Sequence, residues 1–389
     1  MATLSERLEG KRVVICAGSG GVGKTTTSAA LAVGLAAQGR RVAVVTIDPA
    51  KRLANSLGLA ELGNEPALVA PERLAGHGLE VRGELWAMML DAKRTFDELI
   101  ERLAPDERTR DEVLGNRIYQ QLSGAVAGSQ EFTAVAKLYE LDRSGKFDVL
   151  VLDTPPSRNA LDFLDAPDRL TGFFEGRALR VFLAPTGLAA RVVGRGTSVV
   201  FGILKRLTGV DLLEDLGVFF RALGGLIDGF KERAEGVKAL LSDPATTFLV
   251  IISPEREPVE EAVFFASKLR DARMAFGGLV VNRVHSVDGG PPEADLDALE
   301  AALGDARLAA KVARAYAEER ALAERDAAAI AALRARTGED DPVVVPQLDG
   351  DVHDIDGLVR VHAHLFGDQP TRTIRGGRQR PSTTAARGS

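Results

Sequence analysis

Along the chain, short runs in which nearly every residue is apolar alternate with longer stretches in which apolar positions recur every three or four residues. Residues 12–17 (RVVICA) form a β-branched run that predicts a strand; a glycine cluster follows, then a helical pattern over Thr26–Gln38. Gly39 closes that helix and 41–47 (RVAVVTI) predicts a second buried strand, so the first fifty residues make one βαβ unit. Further strands are predicted at 84–90, 148–152, 247–252, 277–282 and 343–345, separated by helix-length segments. Strands this continuously apolar belong to a parallel sheet covered on both faces. The expected fold class is therefore α/β, a doubly wound, mostly parallel sheet flanked by helices.

Two stretches break the rhythm. Residues about 92–140 and about 160–240 carry helix and loop patterns without a convincing strand, which predicts an inserted α-helical subdomain packed together as a cap. The organisation expected is one domain over 1–366 followed by an Arg-containing, disordered tail over 367–389, where almost nothing apolar is available for burial.

Composition narrows the function classes. Hydrophobic residues make up 45% and charged residues 27% of 389 residues, with a mean hydropathy of 0.00, the profile of a globular protein. No apolar run reaches the ~18 residues of a membrane span, because Arg191, Arg195 and Lys205 interrupt the most apolar stretch. The opening Met1–Lys11 contains Glu6 and Glu9 and no signal-type apolar run, so the expected location is cytoplasmic, with peripheral membrane association as an option. A single cysteine, Cys16, excludes an internal disulfide and a multi-thiolate metal site within the chain. The net charge of −6 divides into +4 over 368–389 and −10 elsewhere, and no basic clusters interleave with the body, so no nucleic-acid partner is expected.

The strongest chemical signal is Gly18-Ser19-Gly20-Gly21-Val22-Gly23-Lys24-Thr25, which satisfies GxxxxGK[ST] between a predicted strand and a predicted helix. Glycines let backbone N–H groups turn inward around phosphates, the Lys24 ammonium reaches the β and γ oxygens, and the Thr25 hydroxyl faces Mg²⁺. Two carboxylates stand at predicted strand ends. Asp153 ends VLVLD and precedes Thr154-Pro155-Pro156; Asp48 ends the second strand in IDPAKR. In this setting Asp153 holds the magnesium water shell and Asp48 reaches a water in line with the γ-phosphate, against the plainer alternatives of a turn and a helix N-cap.

GSGGVGKTTTSAALA, TIDPAKRLANSLG, LDTPPSRNALDFL and VVNRV together resemble the ArsA family of ATPases, over about 1–365. That family includes metalloid-pump ATPases and the guided-entry ATPases that deliver tail-anchored membrane proteins, and it is similar in turn to dimeric P-loop proteins such as MinD, ParA and the nitrogenase iron protein. The resemblance implies ATP and Mg²⁺ as cofactors. It places Gly20, Gly21, Val22, Gly23, Lys24, Thr25 and Thr26 in the phosphate loop, Asp48 as the catalytic aspartate of switch I, and Asp153 with Thr154 and Pro156 in switch II. It implies that Thr25, Asp48 and Asp153 serve the metal, the carboxylates through water, and that Asn282 reads adenine. Glu255 falls where the family has a nucleotide-contacting glutamate, and Pro346-Gln347-Leu348 resembles the loop over the base.

This chain also departs from the pattern. Ser19 occupies the position of the family's signature lysine, which reaches the partner's nucleotide across a dimer. Slow turnover alone is therefore expected, with either a homodimer or pairing with a paralogue that keeps the lysine. Lys51 replaces a frequent His, and Arg158 and Asn159 alter switch II. The five histidines have no zinc spacing, and the single cysteine disfavours metalloid efflux. The absence of NKxD disfavours a GTPase. Leu216, Phe219, Phe220, Leu223, Leu226, Ile227 and Phe230 recur on one helix face, which is either core or a groove for a hydrophobic client; Val199, Val200, Phe201, Ile203 and Leu204 pose the same choice. The leading expectation is an ATP-hydrolysing dimer that couples nucleotide state to a helical subdomain handling a hydrophobic client or membrane partner. The alternative is a MinD- or ParA-like regulatory switch.

Overall fold

A computed structural model describes residues 3–48, 50–122, 129–154, 224–286, 294–350 and 352–367, together with Asp165 and Gly172. Eight strands form one sheet: β1 (Val13–Ala17), β2 (Arg41–Thr46), β3 (Ala67–Leu68), β4 (Glu84–Met89), β5 (Val149–Asp153), β6 (Thr246–Ile252), β7 (Phe276–Val284) and β8 (Val343–Pro346). Their order is β3-β4-β2-β5-β1-β6-β7-β8. Every pairing is parallel except that of β3 with β4, an antiparallel edge of two residues. All the strands expected from the apolar runs are present, with ends shifted by a residue or two. β3 was not expected, because a two-residue strand has no measurable periodicity.

The strands of the centre are buried end to end, and their side chains alternate between the two faces. Val13, Ile15, Ala17, Val45 and Leu152 point into one apolar layer. There they meet α5 (Ala92–Leu103), α6 (Glu107–Leu114), α7 (Arg117–Leu122), α8 (Ser129–Ser144), α9 (Ile227–Ser242), α10 (Arg256–Asp271) and the C-terminal part of α12 (Ala306–Thr337), which follows the short α11 (Leu296–Leu303). Val14, Cys16, Val44 and Val151 point to the other face, packed by α1 (Leu4–Arg7), α2 (Lys24–Ala37), α3 (Arg52–Ser56), α4 (Pro71–Ala75) and α13 (Ile355–Phe366). This is a doubly wound α/β architecture, and β1 lies at its switch point between β5 and β6.

Capping sets several helix starts. Asp91, Asp106, Asp295, Asp305 and Asp354 each accept from a backbone N–H in the first turn of α5, α6, α11, α12 and α13. The described residues of the stretch 92–140 form α5, α6, α7 and most of α8, with no strand among them. Of the stretch 160–240, the described part from Gly224 is helical, and the rest apart from Asp165 and Gly172 lies outside the described residues, as does the tail from 368. At the described end of the apolar stripe, Leu226 and Phe230 are fully buried, and Phe230 stacks on Phe96 at 5.6 Å; here the stripe is core. Leu216 to Leu223 and Val199 to Leu204 lie outside the described residues. Among the described residues, no helix is long and apolar enough to cross a membrane.

Candidate functional site

β1 ends at Ala17 and α2 begins at Lys24, so residues 18–23 must reverse the chain within six residues. Two glycines make that turn possible. Gly18, at φ +151°, lies so close to β6 that a Cβ would overlap the Ile251 carbonyl oxygen, and Gly23, at φ +91°, is held against the Asn282 amide in the same way. Gly23 is the N-cap of α2 and no side chain caps that helix. The first N–H groups of α2 therefore open onto the loop, with the positive end of the helix dipole behind them, which is the cradle an anion needs.

Lys24 is buried and its Nζ donates to the Ser19 carbonyl across the loop at 2.7 Å. Burial holds its ammonium below the usual lysine range; the charges of Asp153, Asp48 and Glu261 oppose that shift and Arg52 adds to it. The Ser19 hydroxyl turns away from the loop mouth and donates to Glu261 Oε2 on α10 at 2.5 Å.

Asp153, the last residue of β5, stands beside this loop because β5 pairs with β1 in a register that matches Cys16 with Asp153. Its Oδ2 accepts from Thr25 Oγ1 at 2.7 Å and from Thr46 Oγ1 at 2.8 Å. Its Oδ1 is buried without a partner among the described residues. Burial raises the carboxyl to about 6, although the two threonine hydroxyls and Lys24 pull it down. Thr154 donates its hydroxyl to the Cys16 carbonyl at 2.8 Å, tying the start of the following segment to β1. Cys16 is fully buried, and burial pushes its thiol up to about 12, the property of a small core residue and not of a reactive thiol.

Asp48 lies two residues beyond β2 with its side chain about one sixth exposed. Its N–H donates to Thr46 Oγ1 at 3.2 Å, its Oδ1 accepts from the Ala50 N–H at 2.9 Å, and its Oδ2 stands 3.5 Å from an Arg52 guanidinium nitrogen. It is not the N-cap of α3, which is Lys51 in the left-handed region at φ 53°. Thr46 thus links the Asp153 carboxylate to the backbone of Asp48: its hydroxyl donates to Asp153 Oδ2 and accepts from the Asp48 N–H.

These groups open onto a cleft of about 610 Å³. At the loop end it is lined by Gly21, Gly23, Lys24, Thr25, Thr26, Asp48, Arg52 and Thr154. At the other end Asn282, Arg283, Pro346, Gln347 and Leu348 line it, with Gly350, Val352, His353 and Val361 beyond. Asn282, buried near the end of β7, donates Nδ2 to the Val22 carbonyl at 2.8 Å and so fastens the far strand to the loop. Gln347 follows β8 and donates its N–H to the Val284 carbonyl at 2.9 Å, which brings the 346–348 loop over the same cleft.

The cleft thus gathers most of the residues expected from sequence. Val22 contributes through its carbonyl and its buried side chain, Gly20 is exposed on the loop outside the lining, and Asp153 is buried behind the Thr25 hydroxyl without itself lining the cleft. Glu255 is not gathered: it is the exposed N-cap residue of α10, beyond the C-terminal end of β6, and it does not line the cleft. Sequence reading missed Thr46, Arg52, Asn55, Ser56, Arg283, Val352, His353 and Val361. Among these, Arg52 had a signal, as a cation four residues after a strand-end aspartate; the others are recognisable only by convergence.

The residues fit a magnesium nucleotide. The cradle accepts an anion, and the orphaned Asp153 Oδ1 beside the Thr25 hydroxyl suits a cation that keeps part of its water shell. No group of three or more His, Cys, Asp or Glu side chains forms a protein cage for a metal among the described residues.

A buried lysine in a glycine loop at the switch point, faced by two strand-end carboxylates, defines a nucleotide-binding protein of the P-loop class. Residues 11–289 match the family model described as anion-transporting ATPase, and the chain belongs to that family. It is similar to the "Putative arsenical pump-driving ATPase 1" of Aquifex aeolicus, 28% identical over 256 residues, or 64% of this chain and 58% of that protein. It is 26% identical over 276 residues to an "ATPase ASNA1 homolog" of Cryptosporidium parvum, covering 70% of this chain and 64% of that protein. With "ATPase GET3" of Malassezia globosa it shares 31% identity over 175 residues, 43% of this chain and 46% of that one. The matched region thus spans about three fifths of the length of the Aquifex and Cryptosporidium relatives.

Proposed function

We propose that the chain binds ATP with Mg²⁺ in this cleft and hydrolyses it to ADP and phosphate. The observation that carries the reading is the placement of a buried Lys24, an uncapped helix start and Asp48 on one cleft that Asn282 lines at its far end, with Asp153 buried directly behind Thr25. The loop amides and Lys24 bind and orient the β- and γ-phosphates. The Thr25 hydroxyl and Asp153 would hold a Mg²⁺ ion, the carboxylate through water. That ion would supply neutralisation of the phosphate charge. Asp48 orients a water in line with the γ-phosphorus and receives a proton from it as the new P–O bond forms and the bond to the β-phosphate oxygen breaks. Asn282, Pro346 and Leu348 enclose the base.

Coupling to a client belongs to the same proposal. Thr154 connects the site to the segment between β5 and α9, whose described C-terminal end packs into the core at Leu226, beside Phe230 of α9. A hydrophobic client or a membrane partner handled by that segment is the output we favour. The position of the signature lysine is taken by Ser19, bonded inward to Glu261, so that no cation is offered from it to a second subunit. This supports a dimer with a lysine-bearing paralogue over a self-sufficient homodimer. Metalloid transport by thiolate capture is not supported, because the single cysteine of the chain is buried in β1.

The test is nucleotide binding by calorimetry together with phosphate release, on the chain as it stands and on Asp48→Asn. Binding retained and turnover lost by ~10²–10⁴ in the variant is the expected result. Failure of the unaltered chain to bind adenine nucleotides in magnesium overturns the reading, and full turnover by Asp48→Asn removes Asp48 from its role.

A further inference from the structure

We propose that Arg52 supplies, from within the same chain, the cation that meets the terminal phosphoryl group of a nucleotide bound in the cleft, and that its pairing with Asp48 is the resting position of that side chain. The inference rests on the ATP reading above and adds a residue to it.

Three positive side chains line the cleft among the described residues: Lys24, Arg52 and Arg283. Lys24 already serves the β- and γ-phosphates from within the loop in the reading above, and Arg283 belongs to β7 at the far end. Arg52 stands at the loop end with Thr25, Asp48 and Thr154, and it is the cation placed where charge develops when the outermost phosphate is transferred. Its neighbour Lys51 does not share this position. The left-handed conformation of Lys51 at φ 53° turns the chain into α3, and its ammonium stands 4.0 Å from Glu61, on a small separate cavity behind Asp48. The adjacent Lys-Arg pair is thus split, with one charge sent away from the cleft and one sent in.

The contact of Arg52 with Asp48 is easily exchanged. The nitrogen-to-oxygen distance is 3.5 Å and the arginine side chain is 65% exposed, so the pair is a solvated i,i+4 contact of little energetic weight. A phosphate group offers the planar guanidinium two acceptors and a larger charge, and it displaces the carboxylate. The movement has a second effect. Oδ1 of Asp48 remains fixed by the Ala50 N–H, whereas Oδ2 is released from the guanidinium and becomes available to a water. One exchange therefore delivers a cation to the phosphoryl group and frees an acceptor for the attacking water. Because Ser19 presents a hydroxyl bound to Glu261 and no ammonium, charge brought in by Arg52 matters more in this chain.

The experiment compares the unaltered chain with Arg52→Ala and Arg52→Lys. Binding of ADP and of a non-hydrolysable triphosphate is measured by calorimetry with magnesium, and kcat and KM for ATP are measured alongside. Arg52→Ala is expected to keep ADP affinity within about twofold and to weaken triphosphate binding tenfold or more. Its kcat should fall at least ~10²-fold, a modest share of what a mobile arginine achieves in phosphoryl transfer. Arg52→Lys should recover part of the loss, since it restores charge but not the planar fork, and added guanidinium ion should partly rescue Arg52→Ala but not Arg52→Lys. Unchanged triphosphate affinity and kcat in Arg52→Ala overturn the assignment while leaving the ATP reading intact. So does equal weakening of ADP and triphosphate, or a faster variant, which makes Arg52 a brake on Asp48. An unaltered chain that binds neither nucleotide overturns both.

Discussion

The two ends of the cleft are built on different principles. At the loop end, one contiguous stretch, Gly18–Thr26, supplies the turn, the cation and the hydroxyl, and two neighbouring strand tips add Asp48 and Asp153 to a hydrogen-bonded cluster in which Lys24, Thr46 and Asp153 are buried. At the β7–β8 end, residues of β7, the 346–348 loop, Gly350, Val352, His353 and Val361 of α13 converge on partly open space, and a hydrogen bond from Asn282 to the Val22 carbonyl connects this end to the loop. A contiguous loop on buried polar groups at one end and convergence of separate segments at the other teach where substitution should cost catalysis and where it should cost selectivity.

The largest effect is expected at the buried end. Lys24→Ala removes the ammonium that bridges the loop, and hydrolysis measured by phosphate release should fall by more than ~10³. A comparable loss on altering the β7–β8 end would erase the contrast.

Asp153→Asn comes next and is read in stability. The carboxyl of Asp153 is raised by burial to about 6, so the folded protein keeps its proton in a range where the unfolded chain has released it. Its contribution is complete below about pH 4, is lost as pH rises through 6, and the charged form then costs the nucleotide-free protein up to ~3 kcal/mol. Asn cannot ionise. Thermal unfolding without nucleotide should find Asp153→Asn more stable than the unaltered chain at pH 8 and similar at pH 4, while magnesium-dependent nucleotide binding is lost. A variant less stable at both pH values would show that the carboxylate is already compensated in the empty site.

A smaller effect is expected at the other end. Asn282→Ala leaves the Val22 carbonyl without its donor and should cost ~1–2 kcal/mol, read as roughly tenfold weaker ATP binding and reduced preference for ATP over GTP, with kcat nearly unchanged. The smallest is Glu255→Ala, an exposed position outside the cleft lining, where nucleotide affinity should change less than twofold. A tenfold change there would bring α10 into the site and enlarge the comparison to three regions.

Much of the loop end was legible because its chemistry is local. The glycines, Lys24 and Thr25 follow one another, and Asp48 and Asp153 stand where apolar runs end, so sequence order and spatial order coincide. Element boundaries moved only slightly; Asp153 itself joins β5 because its backbone continues the ladder with Cys16. Arg283 and His353 carried no comparable mark, and Arg52 only its spacing of four from Asp48. They are charged or polar residues, and such residues usually face solvent. The apolar stripe was ambiguous for a similar reason: helical spacing reports that one face is apolar, not what covers it, and burial of Phe230 against Phe96 answers that for its C-terminal end.

By itself, then, the order of residues determined the strand runs, the phosphate loop and the paired carboxylates, because hydrophobic periodicity and steric demand for glycine act over a few neighbouring positions. Tertiary structure alone decided that Asn282 reaches Val22, that Ser19 turns to Glu261, and that Arg52 enters the cleft while Lys51 leaves it. Those outcomes depend on the register of the parallel sheet and on left-handed turns, which bring together groups separated by up to 260 positions in the chain.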